Sequence, residues 1–423
     1  MKRTVFLLLV CGVLCFCACR MSATKPSGAA GTTDSAGADA SGSVTDEDTR
    51  LREAVITLMK ESADQQDPGS LFSDFAGDYE ISGISTGIYG ERVRSIKRKG
   101  AVSYVSADGV NYYGVEAAGN VFYAVDRDGR SEVAAHFTAQ EVPAGMSTIF
   151  VPFGIDTGAL TGGAEDVQIE LTPQMLTVSA DRQTVTFSRQ YVDELAKQIC
   201  EGLGYSDAQT AAFLRDYKGS GVYAAETNTV TFELERKDAA LGNIRQVTRY
   251  SVGKDRTVNA YSLMEYSNPA LGITTPLRTE LDYRDVVYRD GVPVSATIQV
   301  KTTTDVSFYD GYAQDAVYIS ATQTIDTTFV LDCTNAARPK AAATSVQLLT
   351  ETYRGESSTY KTVLRLSVDP GSSGTKLDFT EQRYGDTVTT LKATGLTFAT
   401  PSAFPAVPGR VTSCITAYIE KEM

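Results

Sequence analysis

Residues 294–301 read VSATIQVK, and this stretch indicates the kind of fold the chain adopts. Apolar side chains occupy every second position, the spacing of a β-strand with one buried face. They are Val294, Ala296, Ile298 and Val300. Val317, Ile319 and Ala321 alternate in the same way. Dipeptides such as Asp128-Gly129 and Asp290-Gly291 separate strand-like stretches and supply the positive φ of tight hairpins. The pattern predicts meandering antiparallel β-structure.

Two segments predict helix instead of strand. Residues 49–65 carry apolar side chains at helical spacing, with Asp46 to Asp48 as N-terminal caps. Residues 189–201 also carry apolar side chains at helical spacing. Ser206 and Gln209 then form a capping-box pattern, which predicts the start of a second helix paired with the first. Cys200 lies near the apolar stripe of this pair and is expected to pack in the core. Nearly everything else is expected to be strand.

These elements predict an α+β fold that is mainly antiparallel β. We expect a curved meander sheet, or one or two half-barrels, with the helical pair packed on one face. Residues 49–423 form the globular region, either as one domain or as two sub-domains of about 49–216 and 217–423.

The N-terminus has the character of a secretory signal peptide over residues 1–18. Lys2 and Arg3 precede an apolar run that ends at Ala18. That run is shorter than the about 20 apolar residues that a membrane-spanning helix needs. Ala18 then stands directly before Cys19. This order resembles the lipobox of bacterial lipoproteins, in which the cysteine after the cleavage site becomes lipidated.

The resemblance departs from the usual lipobox at two positions. Phe16 stands where leucine is usual, and Cys17 stands where alanine or serine is usual. Cys11, Cys15 and Cys17 are poorer acceptors because each follows a bulky residue. The resemblance implies lipidation of Cys19 and attachment to a membrane of the cell envelope. That would be the outer membrane of a Gram-negative cell, or the outer face of the cell membrane of a Gram-positive one. The alternative is an ordinary secretory signal.

The segment behind Cys19 supports an anchor. Residues 22–43 contain no large apolar side chain, so residues 19–48 are expected to include a flexible tether. The chain has 39 Lys and Arg against 52 Asp and Glu, a net charge of −13. This balance argues against nucleic acid as a partner, because nucleic-acid affinity depends on a basic surface. Whether any two of Cys200, Cys333 and Cys414 form a disulfide is left open.

Few residues suggest chemistry. His136 is the single histidine, which excludes multi-histidine metal sites. Gly83 to Gly87 match the GxSxG pattern of a hydrolase nucleophile at Ser85, but the surrounding residues indicate strand where that motif needs a turn into a helix. No catalytic residue, metal or cofactor is therefore expected. The run RVRSIKRK at 92–99 is expected to be a solvated strand face, or a basic patch for anionic headgroups or a protein partner.

The predicted layout on an exported chain resembles the half-barrel carriers of lipoproteins and lipids, the LolA, LolB and LppX group. The resemblance is architectural and transfers no binding residue. It implies a non-catalytic binding role, with an apolar or lipid ligand held in a curved-sheet cavity. The alternative is a structural or protein-interaction lipoprotein without a small ligand. An enzyme is the least supported class. Several tyrosines are candidates for lining a groove: Tyr112, Tyr113, Tyr261, Tyr266, Tyr283 and Tyr288.

Overall fold

The computed structural model describes residues 45–88, 93–100, 102–107, 109–138, 147–160, 171–202, 205–237, 242–268, 273–310, 317–353, 356–372, 374–401 and 403–422. Cys19, the signal peptide and most of the expected tether lie outside the described residues. The α-helices of the described part are α1 (Asp46–Asp64), α2 (Arg189–Gly202), α3 (Asp207–Asp216) and α4 (Gly409–Glu422). None of these helices is long and apolar enough to cross a membrane.

Strands make up most of the described residues. Their bounds are β1 (Tyr79–Ile88), β2 (Ser95–Lys99), β3 (Val102–Ala107), β4 (Val110–Ala117), β5 (Asn120–Arg127), β6 (Arg130–Thr138), β7 (Leu176–Val178), β8 (Thr184–Phe187), β9 (Lys218–Ala224), β10 (Thr229–Arg236), β11 (Asn243–Val252), β12 (Val258–Asn268), β13 (Ile273–Arg289), β14 (Val292–Asp310), β15 (Val317–Asp332), β16 (Lys340–Tyr353), β17 (Glu356–Gly371), β18 (Gly374–Arg383) and β19 (Asp386–Thr397). Short 3-10 helices occur at Pro68–Phe75, Val151–Phe153, Gly158–Leu160 and Pro173–Met175. The prediction of an α+β fold, mainly antiparallel β, is confirmed.

The chain divides into two compact units, each built from two stretches of sequence. Unit 1 takes residues 1–67 and 163–293, and unit 2 takes residues 68–162 and 294–423. The sub-domain boundary expected near residue 216 therefore falls inside unit 1, between α3 and β9. Periodicity cannot reveal such an arrangement, because it shows elements and not which distant strands pair.

Unit 1 is a meander in which strands β7 to β13 pair in chain order, all antiparallel. Helix α2 packs on β9, and α1 packs against β7 and β8. The predicted helices form much as expected. Ser206 and Gln209 make the capping box of α3, and Cys200 is fully buried. Helix α1 begins at Asp46, earlier than expected, because Thr45 and Asp48 cap each other's backbone N–H groups at 3.2 Å.

Unit 2 joins two meanders through a pairing between distant parts of the chain. Strands β14 to β19 pair consecutively, and so do β1 to β6. Antiparallel pairing of β19 with β1, such as Glu80 opposite Thr397, joins the two sets. The 3-10 helix Pro68–Phe75 places Phe72 in edge-to-face contact with Phe150 and Phe329, which forms an aromatic core.

Nearly everything outside the two helical segments was expected to be strand, and this expectation is wrong for residues 409–422, which form helix α4. Val411, Ile415 and Tyr418 share one helical face and pack on β4, β5 and β6 of unit 2. The segment is rich in β-branched residues, whose local preference favours strand. Packing against the sheet outweighs that weak local preference, so the helix forms.

Candidate functional site

Ser85 and His136 do not come together. Both lie in strands of unit 2, Ser85 in β1 and His136 in β6, with β2 to β5 between them. Five steps between neighbouring strands correspond to roughly 24 Å along the sheet. The Ser85 hydroxyl faces the Lys392 carbonyl at 3.5 Å, and β1 runs on through it as strand. The GxSxG match is thus a stretch of strand and not a nucleophile elbow.

His136 instead belongs to the contact between the sheet and α4. Its ring stacks on Phe122 with centroids 5.9 Å apart, and its Nδ1 lies 3.2 Å from the Tyr418 hydroxyl. In the same region Arg410 donates from Nε and Nη2 to the two oxygens of Asp126, each at 2.6 Å. These hydrogen bonds lower the pKa of Asp126, whose side chain is almost fully buried. The contacts are structural, since they attach α4 to the sheet.

The basic run does not form one patch. Arg92 lies outside the described residues. Lys97 pairs with Glu80 at 3.0 Å and donates to the Ala403 carbonyl at 2.7 Å. Arg98 is buried, whereas Arg94 and Lys99 are exposed. The alternation of β2 sends neighbouring side chains to opposite faces, so the sequence run divides between the two sides of the sheet.

The space beneath the helical pair of unit 1 is filled by side chains. Phe187 and Phe232 lie edge to face with centroids 4.8 Å apart, and Tyr191 packs beside them. A Cβ on Gly219 would come within 2.8 Å of Val192 and 2.5 Å of Tyr217. The described side chains at this contact therefore pack closely between the helices and the sheet.

Unit 2 contains an open groove of about 600 Å³ on the face of β16, β17 and β18. One wall is the 3-10 helix Val151–Phe153 and the glycine that follows it. Gly154 takes a left-handed conformation with φ of 72° and ends this helix with a backbone bond to Val151. A Cβ on Gly154 would lie 3.4 Å from Leu364, so the wall approaches the sheet closely here.

The inner end of the groove is apolar. Phe153 and Phe379 face each other with ring centroids 4.8 Å apart. Pro152 and Leu364 complete this end. All of these residues except Pro152 are nearly buried, so only their edges line the groove.

The outer end of the groove is polar and aromatic. It is lined by Gln347, Tyr360, Lys361, Thr362, Glu381, Arg383 and Tyr384. Arg383 donates from Nε to Glu381 at 2.7 Å, and the Thr389 hydroxyl donates to the other oxygen of Glu381 at 3.2 Å. The neighbouring Glu351 carboxylate raises the pKa of Tyr360. Tyr384 is 71% exposed and lies edge to face with Tyr360 at 6.1 Å.

The described charged groups at the outer end of the groove hold one another. The carboxylate of Glu381 is already held by Arg383 and Thr389, and no histidine lies among the lining residues. Among the described residues, no three His, Cys, Asp or Glu side chains are grouped as metal ligands would be. Cys200, Cys333 and Cys414 are all free thiols.

The tyrosines proposed from the sequence are not those of the groove. Tyr283 is buried, and Tyr261 donates to Glu280 at 3.0 Å within unit 1. Tyr112, Tyr113, Tyr266 and Tyr288 are likewise absent from the groove lining. One feature of the sequence could have indicated the groove, namely Tyr384 at a turn position before Gly385. An aromatic side chain on a hairpin turn is exposed and has no packing role there.

Comparison of the chain with protein-family models, with curated proteins and with solved structures finds no match. The geometry of the groove therefore carries the functional argument.

Proposed function

We propose that this chain is a lipid-anchored, extracytoplasmic binding protein that holds an amphipathic ligand without transforming it. The observation that carries the proposal is the graded character of the unit 2 groove. Its inner end offers Phe153, Leu364 and Phe379 to an apolar chain, and its outer end offers Tyr360 and Arg383 to a polar group. Ligand sites typically join apolar surface to a few polar groups that orient the ligand, and this groove offers both kinds of surface.

Binding can be measured with 11-(dansylamino)undecanoic acid, whose fluorescence rises in an apolar environment. The full chain carrying Cys19→Ser provides protein without an acyl anchor. Saturable enhancement is expected, and Thr362→Trp should abolish it because the indole fills the groove. Thr380→Trp is the matched control, since Thr380 lies on the opposite face of the same strand pair. Equal binding by the two tryptophan variants would refute the groove as the site.

The membrane anchor has its own test. The resemblance of residues 16–19 to a lipobox supports lipidation of Cys19. We expect wild-type chain to partition into the membrane fraction and Cys19→Ser to be released from it. Mass spectrometry of the mature N-terminus should find an acylated cysteine. An unmodified N-terminus on a soluble chain would favour an ordinary secretory signal.

A role in protein interaction is the second candidate function. A separate feature favours it, namely the exposed end of β17 from Glu356 to Lys361, where all six side chains are exposed.

A further inference from the structure

The first residues of β17 form a sheet edge. Strand β16 pairs with β17 from Glu356 onward, whereas β18 pairs with β17 only from Thr362 onward. Over Glu356 to Lys361, no strand among the described residues pairs with the β18 side of β17.

The direction of the free backbone groups follows from one hydrogen bond. The Tyr384 N–H donates to the Lys361 carbonyl at 3.2 Å, so the backbone of Lys361 points toward the β18 side. In an antiparallel ladder both backbone groups of a residue point to the same neighbour, and the direction alternates along the strand. Ser357 and Thr359 therefore direct their N–H and C=O groups outward, while Ser358 and Tyr360 bond to β16.

This edge lacks the usual protections against pairing. Natural proteins cover sheet edges or interrupt them with proline or bulges. Residues 356–361 read ESSTYK and contain no proline, and their register with β16 is continuous. Charged side chains stand only at the two ends of the stretch.

The charges beside the edge indicate the chemistry of the partner. Glu356, Ser358 and Tyr360 share one face of β17, and Glu351 lies opposite Ser358 on that same face. Lys361 belongs to the other face by alternation, and Arg383 is paired with Glu381. The face that carries Glu356 and Glu351 is thus acidic at the edge where an added strand would pair. The net charge of −13 repels a second copy of this chain and attracts a basic segment.

We propose that the outer edge of β17 from Glu356 to Tyr360 binds an extended, basic peptide segment of a partner protein as an additional strand. Backbone hydrogen bonds to Ser357 and Thr359 supply affinity, and Lys or Arg side chains at alternate positions of the peptide meet Glu351 and Glu356. Strand addition of this kind uses the main chain for affinity and alternate side chains for specificity.

The probe is an acetylated heptapeptide in which threonine and lysine alternate, titrated into the full chain carrying Cys19→Ser. Saturable binding is expected, with changes in amide NMR signals and exchange protection at Ser357 and Thr359. Thr359→Pro should weaken binding by about tenfold or more, because proline removes an outward N–H group. Thr359→Ala keeps that group and should bind as the wild type does. The same peptide with glutamate in place of lysine should bind more weakly.

Thr359→Pro is expected to fold, because its N–H group makes no bond to β16. If it does not fold, Ser357→Pro and a heptapeptide N-methylated at alternate amides remove the same bonds. Failure of the lysine peptide to bind, or binding that neither proline nor N-methylation weakens, would overturn the proposal. Dimerisation of the chain that Thr359→Pro abolishes would also overturn it, by assigning the edge to a second copy.

Discussion

The helical pair of unit 1 and the 3-10 helix Val151–Phe153 of unit 2 both lie on a face of an antiparallel sheet, but they leave different amounts of space. Beneath α2, glycines and aromatic rings bring the helix into close contact with the strands, and the described side chains fill the interface. Beside Val151–Phe153 the ring of Phe153 packs on Phe379, but a groove of about 600 Å³ stays open next to this contact.

Within one chain, the filled interface stabilises the fold, whereas the open groove provides a surface for binding. A filled interface contributes the burial that holds a domain together, since interiors pack as densely as organic crystals. An open groove forgoes part of that burial, and its lining side chains keep free surface for a ligand. Unit 1 thus resembles a structural core, and unit 2 contains the surface on which we propose binding.

The largest expected effect compares two phenylalanines of similar burial, Phe232 in unit 1 at 6% exposure and Phe379 in unit 2 at 8%. Phe232→Ala should lower the free energy of unfolding by about 3–5 kcal/mol, because the cavity it leaves is enclosed. Phe379→Ala should cost about 2 kcal/mol, since the vacated space opens into the groove. Urea unfolding measures both. Equal losses would show that the two interfaces are filled alike.

The next effect concerns glycines in strands. Gly219→Val should lower the free energy of unfolding by about 1–3 kcal/mol through overpacking, because its Cβ would press on Val192, Leu234 and Tyr217. Gly87→Val is the matched control in unit 2, since its Cβ meets only the hydroxyl of Thr390, which can rotate away. Thermal melts of the two variants provide the comparison, and a control as unstable as Gly219→Val would argue against tight packing under α2.

A smaller effect should depend on pH through the α4 contact of unit 2. Hydrogen bonds from Arg410 lower the pKa of Asp126 below its unfolded value of about 3.9. A lowered carboxyl pKa stabilises the fold fully above the unfolded pKa, and this stabilisation is lost as pH falls through the folded pKa. Between about pH 5 and pH 3, the urea midpoint of the wild type should therefore fall more than that of Arg410→Gln.

The control for this pH dependence is Arg365→Gln. Arg365 donates to the neutral side chain of Gln382. The urea midpoint of Arg365→Gln should therefore fall between about pH 5 and pH 3 by as much as that of the wild type. A wild type and an Arg410→Gln variant with parallel pH profiles would show that the Asp126 pair does not contribute to stability.

The smallest expected change in stability is at the rim of the groove. Tyr384→Asn should alter the free energy of unfolding by less than about 0.5 kcal/mol, because the ring is exposed and Asn-Gly suits a turn with positive φ. The same variant should weaken binding of the dansyl probe several-fold, as seen by fluorescence titration. Tyr112→Thr, at an exposed tyrosine away from the groove, should leave probe affinity unchanged.

Local patterns predicted the elements that local forces control. The capping box at Ser206, the buried stripe with Cys200 and the alternating strand at 294–301 all appear in the structure. Helix α4 was missed because its β-branched residues favour strand and its stability comes from packing on β5 and β6. Tertiary contacts of this kind leave only a weak trace in composition.

The groove could not be predicted for a related reason. It forms where residues near 152 meet strands near 347–384, a separation of sequence that periodicity does not bridge. Tyrosines that cluster along the sequence were expected to line a groove, but they serve mostly as sheet packing. Tyr360 and Tyr384 stand apart from those clusters and were not predicted. Cys19 was reached by resemblance alone, and its lipidation stays a prediction.

Photoaffinity labelling tests the contrast between the units most directly. A fatty acid with a diazirine on its chain is irradiated with the full Cys19→Ser protein, and labelled peptides are identified by mass spectrometry. Label is expected on residues 152–154 and 360–384 of unit 2, and it should be lost in Thr362→Trp and kept in Thr380→Trp. Label concentrated on the α2 and β10 residues of unit 1, or spread evenly over both units, would contradict it.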